Sequence, residues 1–218
     1  MIPERAQGRY PIDEEGLALH RASPFFQAEI REMIVHAKLR PGMTALDIGC
    51  GNGALVAAAA EVSAATGMDI SIEVVEAARK LTGLPSFLLG SSYCLPVRDG
   101  SLDRLFTQHL IEHLKDPARA LADWRRVLRP GGRLIVLTPN ALYPDPALFE
   151  DPTHVQIFDA HSLRQVLSAS GFRILKSRTI LPYLRGHTVF GLRHAGLFAR
   201  LPPWSWSGRS LLIIGEAP

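Results

Sequence analysis

The chain has 218 residues, of which 47% are hydrophobic and 21% are charged, and its formal net charge is +3. This composition is typical of a globular protein and excludes a disordered or fibrous one. Two cysteines are too few for a disulfide scaffold, and no apolar run reaches the roughly 18 residues of a membrane span, so we expect a cytoplasmic protein.

Residues 1–43 precede the first predicted strand and carry a helical pattern. Within them Phe26, Ile30, Met33 and Ile34 recur at the spacing of one helix face. We interpret this segment as an N-terminal helical extension that covers a sheet face or the mouth of an active site. The remaining residues, 44–218, are predicted to form a single domain.

From residue 44 onward, short apolar runs alternate with helical patterns, a rhythm typical of βαβ units and a parallel sheet. Asp116-Pro117 indicates a helix start, whereas Pro130-Gly131-Gly132 and Gly171 indicate helix stops. The predicted helices are 54–65, one capped by Ser71, 117–128 and 160–170. The predicted strands are 44–48, one that ends at 69, 86–89, 102–106, 133–138, 172–179 and 210–215.

Three alternating glycines, Gly49, Gly51 and Gly53, stand between the first strand and the first helix of this pattern. Such a loop lets the backbone approach an anionic group at a helix N-terminus. Asp69 ends the next strand, where a carboxylate can accept both hydrogen bonds from a ribose diol. Together these features predict a nucleoside ligand.

The identity of the nucleoside is left open by the glycine spacing, because Gly49-x-Gly51-x-x-Ala54 also satisfies the dinucleotide fingerprint. Asp47 favours a different ligand. Its carboxylate would repel a pyrophosphate but could pair with an ammonium group, as in a nucleoside that bears an amino acid. A nicotinamide-dependent oxidoreductase on a Rossmann fold remains the alternative.

Five segments between residue 44 and about residue 140 occur in a familiar order: ALDIGCGNG, GMDIS, GSSYCLPVRDGSLDRLF, EHLKDP and VLRPGGRLIVLTPN. Together they resemble the class I S-adenosylmethionine-dependent methyltransferases of the ubiquinone and menaquinone biosynthesis type. The resemblance implies a Rossmann-like, doubly wound α/β fold with a seven-stranded, mostly parallel sheet, an antiparallel last strand and helices on both faces. It also implies S-adenosylmethionine as cofactor.

The implied reaction is in-line transfer of a methyl group to an oxygen, carbon or nitrogen of a small or lipid-like acceptor. The resemblance implies that Asp47 and the glycine loop hold the methionine end of the cofactor. It also implies that Asp69 binds the ribose hydroxyls and that Ile70 packs on the adenine. Ser91 stands where the family has an aspartate, and a neutral hydroxyl accepts a weaker hydrogen bond. A catalytically silent cofactor-binding accessory protein is therefore a further alternative. The predicted cofactor-binding set is Asp47, Gly49, Cys50, Gly51, Asn52, Gly53, Asp69, Ile70, Ser91, Ser92, Tyr93, Thr107 and Gln108.

His109 and His154 are the candidate catalytic residues. A sulfonium methyl is already activated, so a base helps only where the acceptor is protonated. His109 follows the fourth strand, and an ordinary pKa of about 6.5 would leave it neutral and able to act as that base; otherwise it is a polar wall of the pocket. His154 lies in a loop where such sheets present substrate contacts, or is a structural loop histidine. His113 is predicted to make a structural hydrogen bond within its helix.

No metal site is expected. Asp151, His154 and His161 are a candidate ligand set, but no second compact cluster supports it, and His161 is predicted near a helix N-terminus. Cys50 also lies at a helix N-terminus, which could lower its thiol pKa, although we do not expect it to act as a nucleophile.

The segment 181–208 interleaves aromatic residues with arginines, and residues 171–218 carry seven basic and one acidic side chain. It could lie on a membrane as a peripheral contact, line a pocket for a hydrophobic or acidic acceptor, or cover the neighbouring helix and sheet. A net charge of +3 and three arginines in the segment are a weak footprint for nucleic acid, which we do not expect as a partner. The oligomeric state is not predicted.

Overall fold

Seven strands form one sheet in the computed structural model, which describes residues 14–143, 151–180 and 208–218. The sheet order is β3-β2-β1-β4-β5-β7-β6, and β7 runs antiparallel to both of its neighbours. This confirms the predicted sheet and its antiparallel last strand. The strands are β1 (Thr44–Ile48), β2 (Ala64–Asp69), β3 (Phe87–Leu89), β4 (Leu102–Gln108), β5 (Leu128–Pro139), β6 (Arg173–Ile180) and β7 (Ser210–Glu216).

Six α-helices among the described residues flank the sheet. They are α1 (Glu14–Ala22), α2 (Pro24–Ala37), α3 (Ala54–Ala60), α4 (Ile72–Thr82), α5 (Pro117–Val127) and α6 (Ala160–Ala169), and a short 3-10 helix covers Ile111–His113. None of the described helices has an apolar stretch long enough to cross a bilayer.

The predicted helix ends are confirmed where a side chain or a glycine specifies them. The Ser71 hydroxyl accepts a hydrogen bond from the Val74 amide at the start of α4, and the Asp116 carboxylate does the same for the Arg119 amide in α5. Gly171, just after α6, has a φ of 87°, a conformation that glycine adopts without strain.

Two predicted boundaries are wrong. The alanine-rich helix α3 ends at Ala60 instead of residue 65, because Ala64 and Ala65 pair with β1 as the start of β2. Helix propensity is overridden here by sheet pairing. The predicted stop at residues 130–132 instead lies inside β5, which begins at Leu128, directly after α5, and pairs there with Leu102.

The two faces of the sheet are covered by different helices. On one face, α2 and α3 pack against alternate strand residues such as Phe106 and Ile135, and Ile30 and Met33 are buried there, as the amphipathic pattern of the extension predicts. On the other face, α5 and α6 pack against strand residues of the opposite pleat, and Trp124 of α5 is fully buried there. Because β1 runs parallel to β2 and β4, the carboxyl ends of these three strands lie at one edge of the sheet.

The basic aromatic segment predicted at 181–208 lies, apart from Gly208, outside the described residues. Its membrane, acceptor-pocket and covering roles stay predictions.

Candidate active site

The glycine loop is tied to the neighbouring strand by its backbone. The amides of Gly49 and Cys50 both donate to the Met68 carbonyl of β2, at 2.8 and 3.0 Å. Gly49, Gly51 and Gly53 have φ values of 72°, 50° and 71°, all in the left-handed region that side chains disfavour. The loop therefore needs glycine at alternate positions to make its turn into α3.

Close packing adds a second reason for two of these glycines. A Cβ atom on Gly53 would lie 2.8 Å from Phe87 Cζ, and one on Gly49 would lie 3.2 Å from Leu110 Cδ2. The closeness of Leu110 also shows that Gly49 packs against the segment that follows β4.

Asp69 joins the loop to the next helix. Its Oδ2 accepts a hydrogen bond from the Gly51 amide at 3.3 Å, and its Oδ1 accepts one from the Ser71 amide at 3.1 Å. The residue is 7% exposed. The carboxylate predicted to bind ribose thus lies at the sheet edge beside the glycine loop.

Asp47 has a different environment, because its Oδ1 is buried and has no hydrogen-bond partner among the described residues. Burial and the nearby Asp69 carboxylate raise the pKa of Asp47 well above its usual value. Burial, with these two carboxylates, also raises the pKa of the Cys50 thiol, so the lowered pKa considered from the sequence is wrong. The site therefore concentrates negative charge in a place that disfavours it, which is an arrangement suited to a cationic ligand.

The side chain of Asn52 holds the glycine loop through hydrogen bonds in the protein interior. It is fully buried, and its Oδ1 accepts a hydrogen bond from the Ala54 amide at 3.0 Å, while its Nδ2 lies 3.2 Å from His20 Nδ1. Asn52 thus links the loop to α1, and its side chain is engaged with protein groups in this structure.

Of the residues predicted on the adenine side, Ile70 is exposed and Ser91, Ser92 and Tyr93 are partly buried. Ile70 is 53% exposed at the end of β2. Ser91 Oγ accepts a hydrogen bond from the Tyr93 amide at 3.2 Å, and the Ser92 carbonyl accepts one from Trp124 Nε1 at 2.8 Å. The Tyr93 hydroxyl accepts one from the Asp116 amide, so its ring lies at the start of α5.

His109, in the segment that follows β4, lies between two carboxylates. Its Nε2 lies 2.9 Å from Glu29 Oε2, and its Nδ1 lies 3.6 Å from Glu112 Oε1. Glu29 comes from α2 and also accepts hydrogen bonds from Gln108 Nε2, at 3.0 Å, and from Ser210 Oγ. A φ of 50° places His109 in the left-handed region, which is uncommon for a residue with a side chain.

These neighbours decide the charge of His109. Burial alone would lower the pKa of His109, but the Glu29 and Glu112 carboxylates outweigh it and raise the pKa to about 10. The ring is therefore an imidazolium at neutral pH, and this charge favours a positioning role over the neutral base considered from the sequence.

Thr107 is a further predicted residue at this edge. It pairs with Ile48 across the strands, is fully buried, and has an Oγ1 without a hydrogen-bond partner among the described residues. Thr107 Oγ1 and Asp47 Oδ1 are thus two buried polar atoms without a hydrogen-bond partner among the described residues on the adjacent strands β4 and β1.

The loop that carries His154 packs on the short 3-10 helix. His113 Nδ1 donates to the Thr153 carbonyl at 2.8 Å, so its hydrogen bond reaches this loop instead of remaining within its helix. The rings of His113 and His154 are 5.0 Å apart, and His154 Nε2 lies 3.9 Å from Asp151 Oδ2. His161 lies in the first turn of α6, as predicted.

Sequence reasoning missed Glu29 and Glu112. Glu29 carries no local signal, since a charged residue on an amphipathic helix is ordinarily interpreted as solvent-facing. Glu112 stands in the quoted EHLKDP segment, and its position just after a strand of the sheet was an available signal.

Comparisons with known proteins agree with this geometry. Residues 46–136 match the family described as a methyltransferase domain. An O-methyltransferase of Pyrenophora dematioidea is 33% identical over 172 residues, which are 71% of this chain and 63% of that protein. The ubiquinone biosynthesis O-methyltransferase of Xanthomonas oryzae pv. oryzae is 34% identical over 130 residues, which are 56% of this chain and 52% of that protein.

A solved structure of a SAM dependent methyltransferase from Archaeoglobus fulgidus superimposes with a TM-score of 0.70 at 19% identity, covering 94% of this chain and 100% of that one. This likeness shows that the two chains share a fold, with a seven-stranded sheet flanked by helices in this chain. The chain spans less than two thirds of the length of either curated relative.

Proposed function

We propose that this chain is a class I S-adenosylmethionine-dependent methyltransferase that methylates an oxygen of a small or lipid-like acceptor. The observation that carries the proposal is Asp47, a buried carboxylate of β1 with an unpaired oxygen, which lies next to the glycine loop and near the Asp69 carboxylate. An unpaired buried acid is costly unless a cation compensates it.

The residues at this edge fit S-adenosylmethionine. The cofactor supplies a methyl group already activated by a sulfonium, together with an ammonium group and a ribose diol. Asp47 would hold the cationic amino-acid end, the glycine loop would admit it closely, and Asp69 would accept hydrogen bonds from the ribose. The exposed Ile70 side chain would cover the adenine.

Oxygen is the proposed acceptor atom because two relatives that align with 71% of this chain are named O-methyltransferases. Transfer by in-line displacement requires mainly that the nucleophile be held about 3 Å from the methyl carbon, on the side away from sulfur. The segment after β4 borders this space, so His109 and Gln108, fixed by Glu29, would form its wall. The finer likeness to the ubiquinone type is supported by the Xanthomonas relative.

Calorimetry with S-adenosylhomocysteine and with NADH separates the proposal from an oxidoreductase. We expect S-adenosylhomocysteine to bind and NADH not to bind; the reverse result would overturn the cofactor. Labelled S-adenosylmethionine with a panel of phenols and hydroxy-lipids then tests transfer. A protein that binds the cofactor tightly but labels none of the panel and no compound in a cell extract would instead be an accessory protein.

Asp69→Ala tests the assignment of the ribose. Losing hydrogen bonds to a carboxylate costs about 1 to 3 kcal/mol, or roughly 5- to 150-fold in affinity for S-adenosylhomocysteine. Glu76→Ala is the matched control, because Glu76 is an exposed carboxylate on the following helix. Equal affinities for the two variants would show that Asp69 does not bind the ribose.

A further inference from the structure

Glu29 of α2 joins two strands of the sheet that β5 separates. Its side chain is buried, and its Oε2 accepts hydrogen bonds from Gln108 Nε2 at 3.0 Å and from His109 Nε2 at 2.9 Å. Its Oε1 accepts one from Ser210 Oγ. Gln108 ends β4 and Ser210 begins β7, so one carboxylate of the N-terminal extension connects both strands at the carboxyl edge of the sheet.

Both ring nitrogens of His109 lie against carboxylates. Nε2 is 2.9 Å from Glu29 Oε2, and Nδ1 is 3.6 Å from Glu112 Oε1. Because a carboxylate oxygen only accepts, each nitrogen is best placed here when it carries a hydrogen. A general base must instead present a nitrogen lone pair within hydrogen-bond reach of the acceptor. His109 therefore has no nitrogen available to take a proton from an acceptor.

The charges around His109 agree with this geometry. Burial lowers the pKa of His109, but the carboxylates of Glu29 and Glu112 raise it to about 10. The other titratable group that interacts with this pair is His20 of α1, whose pKa is lowered by burial and by the charge of His109. The His109 side chain is still 32% exposed. Since its nitrogens face buried carboxylates, the exposed part is mostly ring carbon.

We propose that Glu29 is a positioning residue for methyl transfer, which fixes His109 as a wall of the acceptor space with its ring carbons towards the acceptor. This inference rests on the proposed function. The proton of an acceptor hydroxyl then leaves to water instead of to His109. Neither Glu29 nor Ser210 lies within residues 46–136, which match the methyltransferase domain. The extension and the last strand thus help to set the acceptor side of the site.

Glu29→Gln should release His109 while keeping the size of the buried side chain. The substituted amide has one oxygen and an NH₂ group that cannot accept, so it cannot satisfy all three donors. The left-handed backbone of His109, with a φ of 50°, also persists only while its surroundings hold it. A displacement of about 1 Å in such a wall can slow a positioned reaction roughly 100-fold.

The first test follows the protonation of His109 in the full chain by NMR of ¹⁵N-labelled histidine, and His109→Gln identifies the signal. In the parent, the ring should stay doubly protonated from about pH 6 to about pH 9. Loss of the Glu29 charge lowers the pKa of His109, so the signal should titrate within this range in Glu29→Gln. Glu32→Gln is the matched control, because Glu32 is on the same helix and pairs with Arg178.

The second test measures methyl transfer at saturating S-adenosylmethionine, with a phenol or hydroxy-lipid that the parent methylates. We expect kcat to fall roughly 10- to 100-fold in Glu29→Gln, with little change in affinity for S-adenosylhomocysteine, and to stay at the parent value in Glu32→Gln. Ser210→Ala, which removes one donor to Glu29, should give a smaller loss in the same direction.

An unchanged titration of His109 in Glu29→Gln would overturn the proposal, and so would equal kcat values for Glu29→Gln and Glu32→Gln. Circular dichroism checks the fold of each variant. If Glu29→Gln does not fold, Ser210→Ala decides, and a kcat equal to that of the parent refutes the positioning role. A parent that does not bind S-adenosylhomocysteine would refute the proposed function, whereas the titration of His109 tests the contact with Glu29 independently of the cofactor.

Discussion

Replacing Asp47 by asparagine separates two expected consequences of burying an unpaired acid: a lower stability of the ligand-free protein and a tighter binding of a cationic cofactor. The substitution keeps the size of the side chain and removes its charge. Without ligand, the carboxylate lies beside Asp69 with an unsatisfied oxygen, and an unsatisfied buried charged group costs more than about 1 to 3 kcal/mol. Asparagine still buries a polar amide, so we expect Asp47→Asn to be more stable than the parent by about 1 kcal/mol at pH 7.

The pH dependence of stability follows from the raised pKa of Asp47. The folded protein binds a proton here more tightly than the unfolded chain does, so the contribution of this residue falls as pH rises from the ordinary aspartate value of about 4 towards the raised folded pKa. Asp47→Asn removes this decline. Urea unfolding between pH 5 and 8 should show a flatter profile for the variant and the largest difference at the upper end.

Asp47→Asn should lower the affinity for the cofactor although it raises the stability of the protein. A hydrogen bond to a charged group contributes about 1.5 to 3 kcal/mol, so Asp47→Asn should bind S-adenosylmethionine roughly 10- to 150-fold more weakly. S-adenosylhomocysteine lacks the sulfonium but keeps the ammonium. An equal loss for both ligands therefore assigns Asp47 to the ammonium, and a loss confined to S-adenosylmethionine assigns it to the sulfonium.

Asp69→Asn is the matched control, because the Asp69 oxygens accept two backbone hydrogen bonds. That variant should lose stability instead of gaining it. The reasoning on Asp47 is refuted if Asp47→Asn is no more stable than the parent and binds both ligands with unchanged affinity.

Two further predictions concern the supports of the site. Glu29→Ala leaves the His109 imidazolium and the other donors to Glu29 without their acceptor from α2, so it should lower the free energy of unfolding by about 1 to 3 kcal/mol. Glu29→Gln also removes the charge but keeps a hydrogen-bonding side chain, so it should lose less. A urea midpoint for Glu29→Gln equal to that of the parent would contradict the ion pair. Gly53→Ala and Gly83→Ala should carry the same backbone penalty, because the two glycines have φ values of 71° and 70°. Only a Cβ atom on Gly53 would meet Phe87, so Gly53→Ala should lower the free energy of unfolding by about 1 to 3 kcal/mol more than Gly83→Ala does. Equal midpoints of thermal denaturation for the two variants would show that Phe87 moves aside.

Much of the fold could be predicted because its signals are local. Strand β1, the glycine turn and the start of α3 are adjacent in the chain, and each is specified by residue type: apolar residues, then glycines with positive φ. The caps of α4 and α5 depend on a side chain three residues from its partner. The end of α3 differs from the prediction because alanine favours helix locally, while the pairing of Ala64 and Ala65 with β1 is a contact between residues distant in the chain.

The sequence by itself determined the class of fold and the two acidic residues at the ends of β1 and β2, because each depends on a local pattern of an apolar strand followed by a turn and a helix. Only the tertiary structure decided which groups surround His109 and His154. Glu29 and His109 are 80 positions apart in the chain, and the contact between them exists only because α2 packs across the sheet and its strands end at a common edge. The charge of His109 depends on that contact, since burial and neighbouring charges, which have no local signature, set a pKa.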